Sequence, residues 1–338
     1  DAVSPHYHLS QIKGRIISED EVLAMERLQN MTDLSSKDKA HIHFGLGEAY
    51  DQKGQTDRAF KAWLIANQSK AERYPYDSVK RTNHRDATIV HSQALTAKFT
   101  KSSSEDIRQL VFIVGMQRSG TSLTDQILTS NTKVSSLGEV GYADEMAVQV
   151  KELTGKHYPQ GLSGLSQEDI SLLRANFLEK ISQSHADIPV LIDKTPMNFQ
   201  YLGLLAEVFP NAKFIHCSRN PMDNCFSIFK LAFADDQDFA HDLKSLGDHY
   251  MLYKGLMDQW TQMYSHRILD VHYEDTVSNI EEQCVRLVEF LGLAFEPEML
   301  EFYSTKRLVR TPSASQVRKP IYRSSVQAWK TYEQHLQP

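Results

Sequence analysis

Two stretches of this chain combine cations, small hydroxyls and glycines in a pattern that could hold phosphate. The first is Val111-Phe112-Ile113-Val114-Gly115-Met116-Gln117-Arg118-Ser119-Gly120-Thr121-Ser122. Its four leading apolar residues, three of them β-branched, predict a fully buried strand. Gly115 and Gly120 let the backbone approach an anion closely. A helix opening after them, over Leu123 to Leu128, points its unpaired N–H groups and the positive end of its dipole at the same place. The glycine spacing is that of a P-loop, except that Thr121 stands where the Walker lysine belongs. The loop's cation is instead Arg118, whose forked guanidinium suits an oxyanion. A strand, turn and helix with no ligand role is the bland alternative.

The second stretch is Lys213-Phe214-Ile215-His216-Cys217-Ser218-Arg219-Asn220-Pro221-Met222-Asp223-Asn224-Cys225-Phe226-Ser227. It is another short apolar strand that ends in an arginine at a turn and enters a helix, with Ser227 two turns on. As a pair, the two stretches resemble the 5′-phosphosulfate loop and the 3′-phosphate strand–helix of PAPS-dependent sulfotransferases, a family in which departure from the Walker lysine is normal. Residues from about Val111 to Pro338 resemble a sulfotransferase domain. With the helical region in front, the chain resembles the bacterial tetratricopeptide-repeat sulfotransferases, and local motifs are similar to tyrosylprotein sulfotransferases.

The resemblance implies PAPS as donor, PAP as product and no required metal. It implies that Gln117, Arg118, Ser119, Gly120, Thr121 and Ser122 bind the 5′-phosphosulfate, and that Arg219 and Ser227 grip the 3′-phosphate from two sides. Glu139, in Leu137-Gly138-Glu139, matches the catalytic glutamate of tyrosylprotein sulfotransferases and would take the acceptor's proton. His216 is a rival base, since many sulfotransferases use a histidine; a surface loop carboxylate is the plain alternative for Glu139. Lys194, in Asp193-Lys194-Thr195-Pro196, matches a lysine that could neutralise the leaving oxygen, supplying the cation the loop lacks. Ser313 matches a serine at the bridging oxygen, with Ser315 as an alternative. Lys319, beside Arg318, matches a donor-phosphate contact. Tyr273 matches a tyrosine near the adenine, where its ring could stack; a core tyrosine at a strand end is the other option. After Glu139 the chain reads Val-Gly-Tyr-Ala, without the second acid and arginine of tyrosylprotein sulfotransferases, so the acceptor does not transfer.

Positioning these residues takes an alternation of strands and helices. Beyond the cradle, strand patterns cover Lys133–Leu137, Pro189–Ile192, Lys213–Cys217 and Ile268–Val271. Helical periodicity lies between them, over Tyr142–Leu153, Gln167–Ser184, Pro196–Phe209, Met222–Leu231 and Leu243–Tyr264. Such alternation predicts parallel βαβ crossovers, an α/β fold with a P-loop-type parallel sheet covered by helices. Arg118, Lys194, Arg219 and Tyr273 all follow strand ends, where sites in such sheets sit.

In front lies an all-α region. Ser18-Glu19-Asp20-Glu21 is a capping-box start. Further helices are predicted from Ser36 to about Gln52, from Thr56 to Arg73, and from Tyr76 to Phe99. Leu46, Gly47, Tyr50, Gly54, Ala59, Trp63 and Ala66 fall at the offsets of one tetratricopeptide repeat. Such a unit serves as a structural cap or as a protein-binding groove. The polar linker Thr100–Asp106 suggests a boundary, giving a repeat-like region over 1–105 and a transferase domain over 106–338.

The chain has 338 residues, long enough for two domains, and a net charge of −6, which gives no bulk attraction to nucleic acid or to an anionic membrane. Basic residues cluster between Phe302 and Tyr332, where no acid occurs. That stretch is either a solvated basic face or a cover over a multiply anionic nucleotide. Cys217, Cys225 and Cys284 lack metal-ligand spacing and suit a reducing, cytoplasmic setting. No apolar run is long enough to span a bilayer, and no signal peptide is read. The expected partners are a hydroxyl-bearing acceptor, protein contacts through the helical front end, and a second copy in a homodimer. The rival functions are a P-loop kinase, which needs a Mg²⁺ site and the absent lysine, and a non-catalytic repeat-bearing scaffold.

Overall fold

The computed structural model describes residues 15–98, 108–182, 188–233, 237–305 and 316–336. In chain order the principal elements are α1 (Glu19–Leu28), α2 (Ser36–Gln52), α3 (Thr56–Ala71), α4 (Ser78–Lys98), β1 (Gln109–Val114), α5 (Thr121–Leu128), β2 (Val134–Gly138), α6 (Tyr142–Thr154) and α7 (Gln167–Ser182). They continue with β3 (Val190–Asp193), α8 (Leu202–Val208), β4 (Lys213–Ser218), α9 (Pro221–Phe229), α10 (Leu243–Tyr264), β5 (Ile268–His272), α11 (Tyr273–Ser278) and α12 (Ile280–Leu291). The predicted helix over Pro196–Phe209 is a 3₁₀ turn, Pro196–Tyr201, that hands over to α8.

The elements group into two compact units built from non-contiguous stretches: Asp1–Ser78 with Asn220–Tyr250 and Tyr322–Pro338, and Val79–Arg219 with Met251–Ile321. A boundary at 105/106 follows composition alone, whereas compactness follows packing.

In the first unit α1 starts as its cap dictates. The Ser18 hydroxyl accepts from the Glu21 N–H while the Glu21 carboxylate accepts from the Ser18 N–H, both arms of the capping box. Helices α2 and α3 pack tightly because Gly47 meets the Trp63 indole; a Cβ there would lie 2.3 Å from Nε1. Tyr332 closes the same cluster, its ring 5.5 Å from Trp63 and its hydroxyl donating to Asp51 (2.5 Å).

The second unit carries a five-stranded sheet in the order β2-β3-β1-β4-β5, with every pairing parallel. Strand alternation sends Val111, Ile113, Ile215 and Cys217 to one face, against Ile127 and Leu128 of α5 and Leu287 and Leu291 of α12. Phe112 points to the other face, where its ring lies within about 6 Å of Phe177, Phe209 and Phe214. A sheet buried on both faces needs the near-continuous apolar strands read above. Among the described residues, no helix is long and apolar enough to cross a membrane.

Candidate active site

The site lies in the second unit, at the carboxyl edge of its sheet. Taken in the spatial order of the strands, the residues at that edge are Glu139 after β2, Lys194 after β3, Arg118 after β1, Arg219 after β4 and Tyr273 after β5. Sequence order would not have lined them up. In the strand order the chain passes from β1 toward one edge of the sheet and from β4 toward the other, so the topological switch point falls between these two strands.

The cradle begins where β1 ends. Gly115 has a φ of 150°, and a Cβ on it would lie 2.2 Å from the Cys217 carbonyl, so only glycine lets β1 and β4 approach this closely. Gly120, at φ 103°, begins α5 without a side-chain cap. No side chain therefore closes the N-terminus of α5, whose dipole faces the turn. The Ser119 hydroxyl is buried and has no hydrogen-bond partner among the described residues. A buried orphan hydroxyl beside an uncapped helix start is what an anion-binding turn requires. Arg118, between the glycines, adopts a left-handed φ of 68°.

Arg219 ties the two strand ends together: its Nη1 donates to the Arg118 carbonyl at 3.2 Å. Its guanidinium carbon lies 4.8 Å from the centroid of the Tyr273 ring. That ring also packs on the cradle, since a Cβ on Gly120 would lie 3.0 Å from its Cδ2. The two arginines assigned from sequence to opposite ends of one nucleotide thus lie on one side of the sheet and in contact.

Lys194 and Glu139 form an ion pair, with Nζ donating to Oε1 at 2.5 Å. The pair is asymmetric: the lysine side chain is 2% exposed and the glutamate 42%. A continued strand pairing sets it up, because the Lys194 N–H donates to the Gly138 carbonyl at 3.0 Å. The rest of the turn stitches its neighbours. Thr195 Oγ1 donates to Asp193 Oδ1 (2.7 Å) and accepts from the Val140 N–H (3.4 Å), and the Pro196 carbonyl accepts from the Gly115 N–H (3.0 Å). Burial pushes the Asp193 carboxyl up to about 6, with the Thr195 hydrogen bond opposing it.

His216, the rival base, has both ring nitrogens engaged: Nδ1 with Asp270 Oδ1 (2.6 Å) and Nε2 with the Tyr253 hydroxyl (2.5 Å). The hydrogen bond to His216 holds the Asp270 carboxyl below the usual carboxylate range. Neither nitrogen is open to an acceptor. Burial pushes the thiol of the neighbouring Cys217 up to about 12, which makes it inert.

Ser313 and Ser315 lie outside the described residues. Arg318 and Lys319 are exposed in the turn that follows Gln316. Ser227 is half-buried on α9 of the first unit. One contact was missed from sequence: Arg118 Nη2 donates to Gln316 Oε1 at 2.9 Å. A glutamine carries no motif signal, and only its place between Ser315 and the Arg318-Lys319 pair could have drawn attention to it. Among the described residues, no group of three or more His, Cys, Asp or Glu is arranged to hold a metal ion.

This sheet with a cradle at its switch point defines an α/β protein with a P-loop-type parallel sheet, and comparison with known proteins narrows the class. The chain belongs to the sulfotransferase family, whose model matches residues 110–297, from β1 through β5 and α12. It is 30% identical to an uncharacterized protein of Aquifex aeolicus over 348 residues, covering 100% of this chain and 46% of that one. It is 25% identical to protein-tyrosine sulfotransferase A of Caenorhabditis elegans over 234 residues, covering 65% of this chain and 60% of that one. The chain therefore spans about half the length of these curated relatives. Among solved structures, the sulfotransferase domain of the Synechococcus PCC 7002 olefin synthase shares the fold. It aligns with a TM-score of 0.51 and 23% identity, over 69% of this chain and 90% of that one.

Proposed function

We propose that this chain is a PAPS-dependent sulfotransferase that moves the sulfuryl group of 3′-phosphoadenosine 5′-phosphosulfate to an acceptor hydroxyl on a peptide tyrosine, a carbohydrate or a small metabolite. The observation that carries the reading is the 3.2 Å contact from Arg219 to the Arg118 carbonyl. It sets a second cation beside the cradle, as a nucleotide with phosphates at both ends of its ribose demands. Gln117 to Ser122 would hold the 5′ end. Arg219 would hold the 3′-phosphate, with Ser227 included on its sequence match. Arg318, Lys319 and Ser313 enter on the same footing as further donor contacts. Tyr273, with one ring partner already in Arg219, would flank the adenine.

The donor supplies an electrophilic sulfur. Glu139 takes the acceptor's proton as the acceptor oxygen bonds to sulfur, and its exposure lets that proton pass on to water. Lys194, buried beside it, offsets the charge that grows on the bridging oxygen as the old sulfur–oxygen bond breaks. Burial strengthens that interaction, because little water screens the ammonium. The α2–α3 pair, with Gly47 seated against Trp63, is read as one tetratricopeptide-type repeat in front of the transferase.

Calorimetry on the purified chain, in the presence of a chelator, is expected to show PAP binding. Arg219→Ala is expected to weaken PAP by roughly a hundredfold, the scale for truncating a buried charged partner, and adenosine 5′-phosphosulfate, which lacks the 3′-phosphate, far less. Equal losses for both ligands would remove the 3′-phosphate assignment. Radiolabelled donor offered with peptide, glycan and phenolic acceptors then identifies the acceptor, and no labelled product across all three would sink the enzymatic reading.

A further inference from the structure

We infer that Gln316 is a positioning residue for Arg118, fixing the direction in which the cradle presents its cation. The inference rests on the donor reading above. Gln316 Oε1 accepts from Arg118 Nη2 at 2.9 Å, across 198 positions of chain. Gln316 is itself well placed to direct another side chain. The next residue, Val317, is buried, and the Lys319 N–H closes a turn on the Gln316 carbonyl (3.3 Å).

The chemistry of an amide suits the task. An arginine on a tight turn has several rotatable bonds and no preferred direction unless something holds it. A carboxylate would hold it hardest, but would also cancel the charge that an incoming anion needs. The amide oxygen engages a guanidinium N–H and, being neutral, leaves the positive charge of the group intact for the ligand. Arg118 is thereby held both at its carbonyl, by Arg219, and at its guanidinium, by Gln316. The 5′ end of the ligand then meets a preorganised cation, and the ordering cost falls on folding instead of on binding.

The test compares PAP, which carries a 5′-phosphate, with adenosine 3′-phosphate, which does not, by calorimetry on the whole chain. Gln316→Ala is expected to weaken PAP about tenfold, the scale of one hydrogen bond to a charged group, and to leave adenosine 3′-phosphate unchanged. Gln316→Glu is expected to keep the contact to Arg118 and the cooperative melt, yet to weaken PAP more than Gln316→Ala does. In an Arg118→Ala background, Gln316→Ala is expected to add nothing, because its partner is gone. Any of three results would overturn the inference: equal losses for both ligands, a Gln316→Glu variant that binds PAP as well as wild type, or additive losses in the double variant. A wild type that binds PAP with no change in Gln316→Ala would end this inference but spare the donor reading. A wild type that binds neither nucleotide would end both.

Discussion

Arg118 holds a left-handed φ of 68°, which costs a residue with a Cβ roughly 1–3 kcal/mol and persists only where surrounding contacts impose it. Those contacts include Arg219 at its carbonyl and Gln316 at its side chain. Comparing Arg118→Gly with Arg118→Ala isolates the backbone, because both remove the guanidinium. The glycine variant is expected to be more stable by about 1 kcal/mol, the reverse of the order seen at ordinary positions, and both should lose PAP affinity alike. An alanine variant that melts at the higher temperature would contradict the strain argument. Glu139 poses a different question, because it both pairs with Lys194 and serves as the proposed base. In Glu139→Gln the amide oxygen can still accept from the ammonium but cannot take a proton at neutral pH. Turnover is expected to vanish while PAP affinity stays near that of wild type, and residual turnover near the wild-type rate would assign the base elsewhere.

The element that organises the site is the turn from Asp193 to Pro196, which binds the β2 exit through Lys194 and Thr195 and the cradle through Pro196. Its stability depends on pH through Asp193, whose carboxyl burial pushes up to about 6 from the ordinary aspartate value of 3.8. Between those values the folded chain binds the proton more readily than the unfolded chain does. The group's contribution is therefore fully present below the lower value and is lost as pH rises through the upper one. A shift of that size corresponds to about 3 kcal/mol. Urea titrations at several pH values should show this fall in wild type and a flatter profile in Asp193→Asn, which keeps an acceptor for Thr195 but does not titrate. An undiminished slope in the variant would place the titration on another group. Element positions were largely legible beforehand, because strand and helix periodicities and caps are local signals. Which neighbours the Asp193–Pro196 turn binds was not legible, since they lie at the exits of β1 and β2.

At the scale of the whole molecule, the parallel sheet gathers at one edge side chains that the sequence spreads from Arg118 to Tyr273. A ligand that bridges neighbouring strand ends ties their loops together in the folded state only. At a hundredfold excess over its Kd, PAP is expected to raise the unfolding free energy by about 2.7 kcal/mol, seen as an upward shift in melting temperature. At the same concentration a nucleotide without the 3′-phosphate should shift it far less. Identical shifts for both would mean that Arg219 does not contact the ligand.

The amino-acid sequence alone determined the elements, the cradle with its missing lysine, and the placement of its charged residues just beyond strand ends. Each of these depends on residues close together along the chain. Only the tertiary structure decided which strand lies beside which, and so that Lys194 meets Glu139 across 55 positions and Gln316 meets Arg118 across 198. It also decided that both nitrogens of His216 are engaged by residues from β5 and α10. Strand order follows from burying both faces of the sheet at once, a condition on the whole packed unit that no local pattern encodes.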